Sequence, residues 1–257
     1  MFAFLGDVAS KAGELAKHFQ QTPDRLVVEA KAPLDIVTAA DRAVEALIVS
    51  TIHQAFPSDA FLGEEGAQRS GSSGRLWVID PIDGTANYMH DLPWWAISIG
   101  LLQDGKPAAG IVHAPAMGIT LSAVVGQGVR LNGQVFTLPP CKTSPVAPIV
   151  FTGCAPGLRA GGLDTEASQF IRDHLSGVER NLGSATASLL QVLSGHAHLY
   201  LGFGENLWDV CTGAIIADEL GLMHSLDWET AADGAPFNFT CGMHPWIEQA
   251  KQKLVLV

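Results

Sequence analysis

The stretch WVIDPIDGTANY, residues 77 to 88, ends an apolar run on Asp80 and sets Asp83 three residues further on, with Gly84 and Thr85 directly behind. Pro81 disfavours the α conformation at Asp80, which predicts that this carboxylate stands where a strand ends. Gly84 lets the backbone come close to a ligand. If a helix starts near Thr85, its free N–H groups offer a site for an anion such as phosphate. Two carboxylates facing a phosphate repel it unless a divalent cation lies between them, and oxygen ligands of this kind suit Mg2+ or Mn2+ better than zinc. Taken alone, the pair also fits an ordinary turn, with Asp80 capping it and Asp83 exposed in the loop, because Asp and Gly are common turn residues.

Two further segments repeat the pattern. FLGEEG supplies Glu64 and Glu65 at the end of another apolar run, and NLWDVCTGA supplies Asp209 between Trp208 and an apolar helix. A charge at the edge of apolar structure is costly unless it is paired or bound to metal. One of the two glutamates is expected to face solvent, and Asp209 read singly is also a helix N-cap.

The elements that must carry these groups follow from periodicity. Apolar residues at helical spacing over residues 3 to 20 predict a first helix. In DIVTAADRAVEALIVSTIHQAFP, Thr38 is placed to cap a second, whose apolar stripe (Ala43, Leu47, Ile48, Ile52) ends at Pro57, with Asp41 near its start. Strands are predicted over 60 to 65, 76 to 80, 96 to 102 and 108 to 115. The polar, glycine-rich segment RSGSSGR between the first two reads as a mobile loop. Asn132-Gly133 signals a hairpin and hence antiparallel pairing. The proline-rich stretch LPPCKTSPVAP marks a boundary between an N-terminal half, 1 to 140, and a C-terminal half, 141 to 257, in which strands and helices alternate.

Composition narrows the function classes. With 257 residues and 47% hydrophobic content, the chain can bury a substantial core. A net charge of −11, from 26 acidic and 15 basic residues, argues against a broad nucleic-acid or anionic-membrane surface. The four cysteines form no CxxC pair, which points away from a zinc knuckle or disulfide framework and toward reduced thiols in a cytoplasm. No signal-peptide pattern and no apolar run long enough to span a membrane is found in the sequence.

The segments GEE, WVIDPIDGTANYMHDLP and LWDVCTGA, in this order, together with KAPLDIVTAADRAVE, GQGVRLNG and RNLGSATASLLQVLSGHAHLYL, are spread over most of the chain, from residue 31 to residue 214. In them the sequence resembles the inositol monophosphatase family of metal-dependent, lithium-sensitive phosphatases. The resemblance implies an αβαβα sandwich and a homodimer. It assigns Glu64, Asp80 and the carbonyl of Ile82 to one metal, and Asp80, Asp83 and Asp209 to a second. A third, weaker ion also uses Glu64, so two or three Mg2+ are implied, with Mn2+ an alternative. Thr85 orients the attacking water and Asp41 is its hydrogen-bond partner. Asp83, Gly84 and Thr85 face the substrate phosphate, while Arg180, Gly183 and Ala185 line the leaving-group pocket. The implied reaction is metal-assisted hydrolysis of a phosphate monoester with no covalent intermediate. Asp80 and Asp83 are then metal holders and not an acid/base pair, because bound Mg2+ lowers both pKa values.

One departure concerns the substrate. Inositol-preferring members carry a glutamate seven residues before the last metal aspartate, where this chain has Gly202; Glu205 in the same loop is a candidate replacement. Inositol monophosphate or a related polyol or sugar phosphate is therefore the first expectation. Histidinol phosphate, fructose 1,6-bisphosphate and a 3′-phosphonucleotide are alternatives, as is a transcription-associated binding protein that retains the fold. Lys31, His90, Asp91, Trp94, Trp95, His196 and His198 are read as exposed, hydrogen-bonded or packed residues without a role in the chemistry.

Overall fold

The computed structural model describes residues 1–22, 28–32, 35–140, 147–155, 162–230 and 235–254. In chain order the elements are α1 (Phe2–Gln20), β1 (Val28–Ala32), β2 (Asp35–Thr38), α2 (Ala39–Ala55), β3 (Ala60–Gly63), β4 (Gln68–Arg69), β5 (Arg75–Asp83), α3 (Thr85–Met89), β6 (Ala96–Gln103), β7 (Lys106–Ala114) and β8 (Ile119–Val124). They continue through β9 (Gly128–Leu131), β10 (Gln134–Phe136), β11 (Ile149–Cys154), α4 (Leu163–Asp173), β12 (Val178–Arg180), α5 (Ala185–Leu193), β13 (Leu199–Glu205), α6 (Leu207–Leu220), β14 (Met223–His224), β15 (Phe237–Gly242) and α7 (Trp246–Lys253).

Two large sheets are formed. The first has eight strands in the order β10-β9-β8-β7-β6-β5-β3-β4, antiparallel except where β3 runs parallel to β5. The second has five, in the order β12-β11-β13-β15-β14. The expected hairpin is present: Leu131 pairs with Gln134, and Asn132 and Gly133 both take positive φ, as a two-residue primed turn requires.

Three apolar cores separate the layers. Helices α1 and α2 pack on one face of the first sheet around Leu5, Val44, Ile48 and Trp77. Helices α5 and α6 fill the space between the sheets, with Leu190, Val210 and Ile215 against Val112 and Leu121 of the first sheet and Tyr200 and Phe239 of the second. Helices α4 and α7 cover the outer face of the second sheet through Phe170, Ile171, Trp246 and Ile247. The result is the expected αβαβα sandwich. Strands β5 and β6 are buried on both faces, which is why they read as unbroken apolar runs and not as alternating ones.

Helix α6 is buried almost all round, and two glycines let it approach the first sheet. Gly100 and Gly110 pair across β6 and β7, and Cβ atoms there would stand 3.0 Å from Cys211 Sγ and 2.9 Å from Thr212 Cγ2. Ser98 Oγ donates to Thr212 Oγ1 at 2.8 Å and fixes the helix along its axis.

The segment expected to be a mobile loop is tied at its end. Ser72 and Ser73 donate backbone N–H bonds to Ser58 O, and Asp59, fully buried, accepts from Ser73 Oγ and Trp77 Nε1 and pairs with Arg75. Among the described residues no helix is long and apolar enough to cross a membrane, and Cys154, Cys211 and Cys241 are free thiols.

Candidate active site

Strand β5 does not end at Asp80, as the Asp-Pro step predicts, but runs on to Asp83 through a bulge. Asp80 pairs with Ser98 and Asp83 with Ala96, so three steps along β5 match two along β6. Side chains three apart on a regular strand point to opposite faces, and one extra residue returns them to the same face. Pro81 has no N–H to give to a ladder and falls inside the bulge, where none is asked of it.

Glu64 arrives from the neighbouring strand. Gly63 is level with Ile79 in the parallel β3/β5 pair, and Glu64 N donates to Ile79 O at 3.1 Å, which sets Glu64 beside Asp80. Asp209 comes from the first turn of α6, where it forms a capping box with Asn206 and accepts from Asn206 N at 2.6 Å. Asp83 meets the start of α5. Ser184 caps that helix, accepting from Ala187 N at 3.0 Å, and donates to Asp83 Oδ2 at 2.9 Å. Thr186 N donates to the same oxygen, so the positive end of a helix faces this carboxylate.

Gly84 has φ 91°, and a Cβ there would press on Trp94 O and Ser184 Cβ. This combination of positive φ and close contact admits only glycine. Thr85 follows at the first position of α3, and its Oγ1 lies 3.2 Å from both Asp41 Oδ1 and Ile82 O. Asp41 is buried and held by the capping box of α2, in which it accepts from Thr38 N at 2.8 Å and Thr38 accepts from Ala40 N.

The electrostatics of this cluster are those of an unneutralised anion site. Burial, then the charges of Glu64, Asp83 and Asp209, hold the Asp80 carboxyl well above the usual range. Asp209 is raised well above it by burial and then by Glu205 and Asp83. Burial also raises Asp83 and Asp41, against the lowering effect of their hydrogen bonds. Asp80 Oδ1 is buried and, among the described residues, accepts no hydrogen bond. A buried lone pair without a donor, surrounded by three more carboxylates, is what an oxygen-seeking divalent cation satisfies. The donor set therefore fits Mg2+ or Mn2+. Among the described residues, however, no three such side chains converge as a finished cage, and Asp83 and Asp209 each turn one oxygen toward backbone N–H groups.

Beside the cluster lies a cavity of about 340 Å³ where the two sheets meet, bounded by Glu64, Asp83, Asp209, Gly183, Ala185 and Glu205 among others. Gly153 and Gly202 are level with each other in the parallel β11/β13 pair. The Glu205 carboxylate occupies the space a side chain would need there, 2.8 Å from a Cβ at 153 and 2.5 Å from one at 202. Tyr200 Oη donates to Glu205 Oε1.

Arg180, which the resemblance assigns to the leaving-group pocket, is exposed, and its guanidinium donates to Glu179 O at 2.7 Å. Alternation along the edge strand β12 turns Glu179 inward, to Thr152 Oγ1, and Arg180 outward. His90, Asp91 and His196 are exposed, His198 is buried and accepts from Ile149 N, and Trp95 packs on Tyr88 while Trp94 is partly exposed. The side chain of Lys31 lies outside the described residues. Sequence reasoning did not find the hydrogen bonds of Ser184 and Thr186 to Asp83, or Tyr200 beneath Glu205. A serine before the apolar run ATASLLQVL is an N-cap signal that could have shown the first; a tyrosine in a strand buried on both faces carries no such signal.

Comparison with known proteins identifies the family. The profile of the inositol monophosphatase family matches residues 1–242. A Thermotoga maritima protein named fructose-1,6-bisphosphatase/inositol-1-monophosphatase is 35% identical over 197 residues, 74% of this chain and 70% of its own. The Nus factor SuhB of Pseudomonas aeruginosa is 33% identical over 219 residues, 83% of this chain and 80% of its own. The solved structure of a Thermotoga maritima inositol monophosphatase superposes with a TM-score of 0.79 at 30% identity, covering 97% of this chain and 94% of that one. The chain belongs to the inositol monophosphatase family and is a metal-dependent phosphoric monoester hydrolase.

Proposed function

We propose that this enzyme hydrolyses inositol monophosphate or a closely related small polyol phosphate, with Mg2+ held by Glu64, Asp80, Asp83, Asp209 and the Ile82 carbonyl. The observation that carries the reading is Asp80 Oδ1, buried without a donor among three other carboxylates. Bound there, Mg2+ supplies Lewis-acid neutralisation of charge on the phosphoryl group. The remaining work belongs to the chain. Thr85 donates its hydroxyl proton toward Asp41, which leaves the Thr85 oxygen free to accept from a water and aim it at phosphorus, with Glu64 on the other side. The N–H groups of Gly84 and Thr85 face the phosphate. Glu205, propped by Tyr200, accepts from hydroxyls of the leaving group.

Phosphate release from a panel of esters tests this. Release from inositol 1-phosphate that requires Mg2+ is expected, with weaker release from fructose 1,6-bisphosphate, histidinol phosphate and 3′-phosphonucleotides. No release from any ester would overturn it. We read residues 1–140 and 141–257 as two halves of one catalytic unit, working as a homodimer in the cytoplasm and inhibited by lithium; the free thiols and the partly exposed Leu92 and Trp94 support the compartment and the dimer.

The likeness to a Nus factor supports a second reading, a partner role in transcription. Asp83→Asn separates the two: it is expected to abolish turnover and to leave any purely structural association unchanged. The net charge of −11 speaks against direct binding of nucleic acid.

A further inference from the structure

Glu45 lies one turn beyond Asp41 on α2 and is only 5% exposed. Its two oxygens are committed to the turn that follows β3: Oε2 accepts from Glu65 N and Oε1 from Ala67 N, both at 2.9 Å. Gly63 N closes the same turn on Ala67 O at 2.7 Å. Gly63 has no side chain at the point of closest approach, and a Cβ there would collide with the Glu45 carboxylate. Glu64 is thus presented from a turn whose backbone is pinned directly after it, at residues 65 and 67, by one buried side chain.

Asp41 does the equivalent for the other half of the site, accepting from Thr85 Oγ1. Two anchors four residues apart on a helix sit about 6 Å from each other along its axis and move together. Helix α2 therefore fixes Glu64 and Thr85 relative to one another.

We propose that Glu45 is a positioning residue: it clamps the 63–67 turn to α2 so that Glu64 stays in register with the Asp41–Thr85 pair. The proposal rests on the roles of Glu64 and Thr85 argued above. Glu45→Gln puts an amide NH2 against one of the two backbone N–H groups and loosens the clamp with little change in volume. Gly63→Ala reaches the same clamp from the opposite side and leaves Glu45 in place.

Three measurements are made on the full chain: amide exchange at residues 65 and 67, Mg2+ affinity by calorimetry without substrate, and kcat and KM at saturating Mg2+. Ile52→Val, a core change on the same helix, is the control for general destabilisation. Both clamp variants are expected to speed exchange at 65 and 67 and to weaken Mg2+ binding by about tenfold or more, the usual cost of losing a partner that orients a ligand. They should lower kcat more than they raise KM, whereas Ile52→Val changes none of these. Glu45→Asp, too short to reach both N–H groups, should not restore the affinity. If exchange at 65 and 67 is unchanged, or if Mg2+ affinity falls no further than in Ile52→Val, the clamp is overturned. Absence of Mg2+ binding by the unaltered protein would overturn the metal reading instead, and the exchange result would still decide the clamp.

Discussion

Gly100 and Gly110 face each other across β6 and β7, and Thr212 of α6 rests in the groove they leave. This close approach carries Asp209, one turn earlier on α6, over the end of β5 where Asp80 and Asp83 stand. The Asp209 carboxylate on α6 is thereby placed by the absence of side chains on β6 and β7.

Gly110→Val should consequently damage both the fold and the site. The added methyls press on Thr212, and overpacking of this kind costs about 1 to 3 kcal/mol. Thermal unfolding should show the loss of stability, and calorimetry a weaker Mg2+ affinity, because α6 moves away from the sheet. A variant that lost stability with unchanged Mg2+ affinity would show that α6 tolerates displacement at its middle without moving Asp209.

Mg2+ should fasten the two halves together. Without it, Asp80, Asp83 and Asp209 repel one another from two different parts of the chain. At one hundred times its dissociation constant, a ligand of the folded state adds about 2.7 kcal/mol of stability. The melting temperature should rise with Mg2+ and fall back on adding a chelator, and amide exchange over residues 64 to 75 should slow with the metal. Unchanged exchange in that segment would rule out the coupling.

Much of this was open to reading in the sequence, for a physical reason. A charge at the edge of apolar structure is costly unless it is paired or bound, so Glu64, Asp80, Asp83 and Asp209 stand out against apolar flanks, and Thr38 with Asp41 announces a helix start. The bulge at Pro81 was not legible, because it depends on which strand pairs with β5 and in what register. Nor was Glu45, which by spacing alone is one more charge on a helix. The inward turn of Glu179 and outward turn of Arg180 depend on where the edge strand β12 begins, which three residues do not reveal.

The pH dependence of stability should change with metal. Burial and then neighbouring carboxylates raise Asp80 and Asp209, burial raises Asp83 against its hydrogen bonds, and burial lifts Glu205 to about 7. Unfolded carboxyls titrate near about 4. Above that value the folded, metal-free chain keeps protons that the unfolded chain has released, so its stability is full at low pH within this window and is lost as pH rises. Between about pH 5 and 8 the metal-free melting temperature should fall, and the gain from Mg2+ should grow, because binding displaces those protons. A metal-free melting temperature that rises across this range would contradict the assignment of raised carboxyls.

Substrate choice should depend on Glu205 and Tyr200 separately from the chemistry. Glu205 folds back over Gly202 into the space where a side chain at that position would lie, and Tyr200 holds it there. Hydrogen bonds to a charged group contribute about 1.5 to 3 kcal/mol, so Glu205→Gln should raise KM for inositol 1-phosphate by roughly tenfold or more. Tyr200→Phe should do so more weakly, since the carboxylate remains but is free to turn. An aryl phosphate without hydroxyls on its leaving group, such as p-nitrophenyl phosphate, should be hydrolysed with nearly unchanged KM by both variants. Because Glu205 is also a neighbour of Asp209, the Mg2+ affinity of each variant must be measured alongside. Equal losses with both esters, accompanied by weaker Mg2+ binding, would assign Glu205 to the support of Asp209 and not to the recognition of substrate.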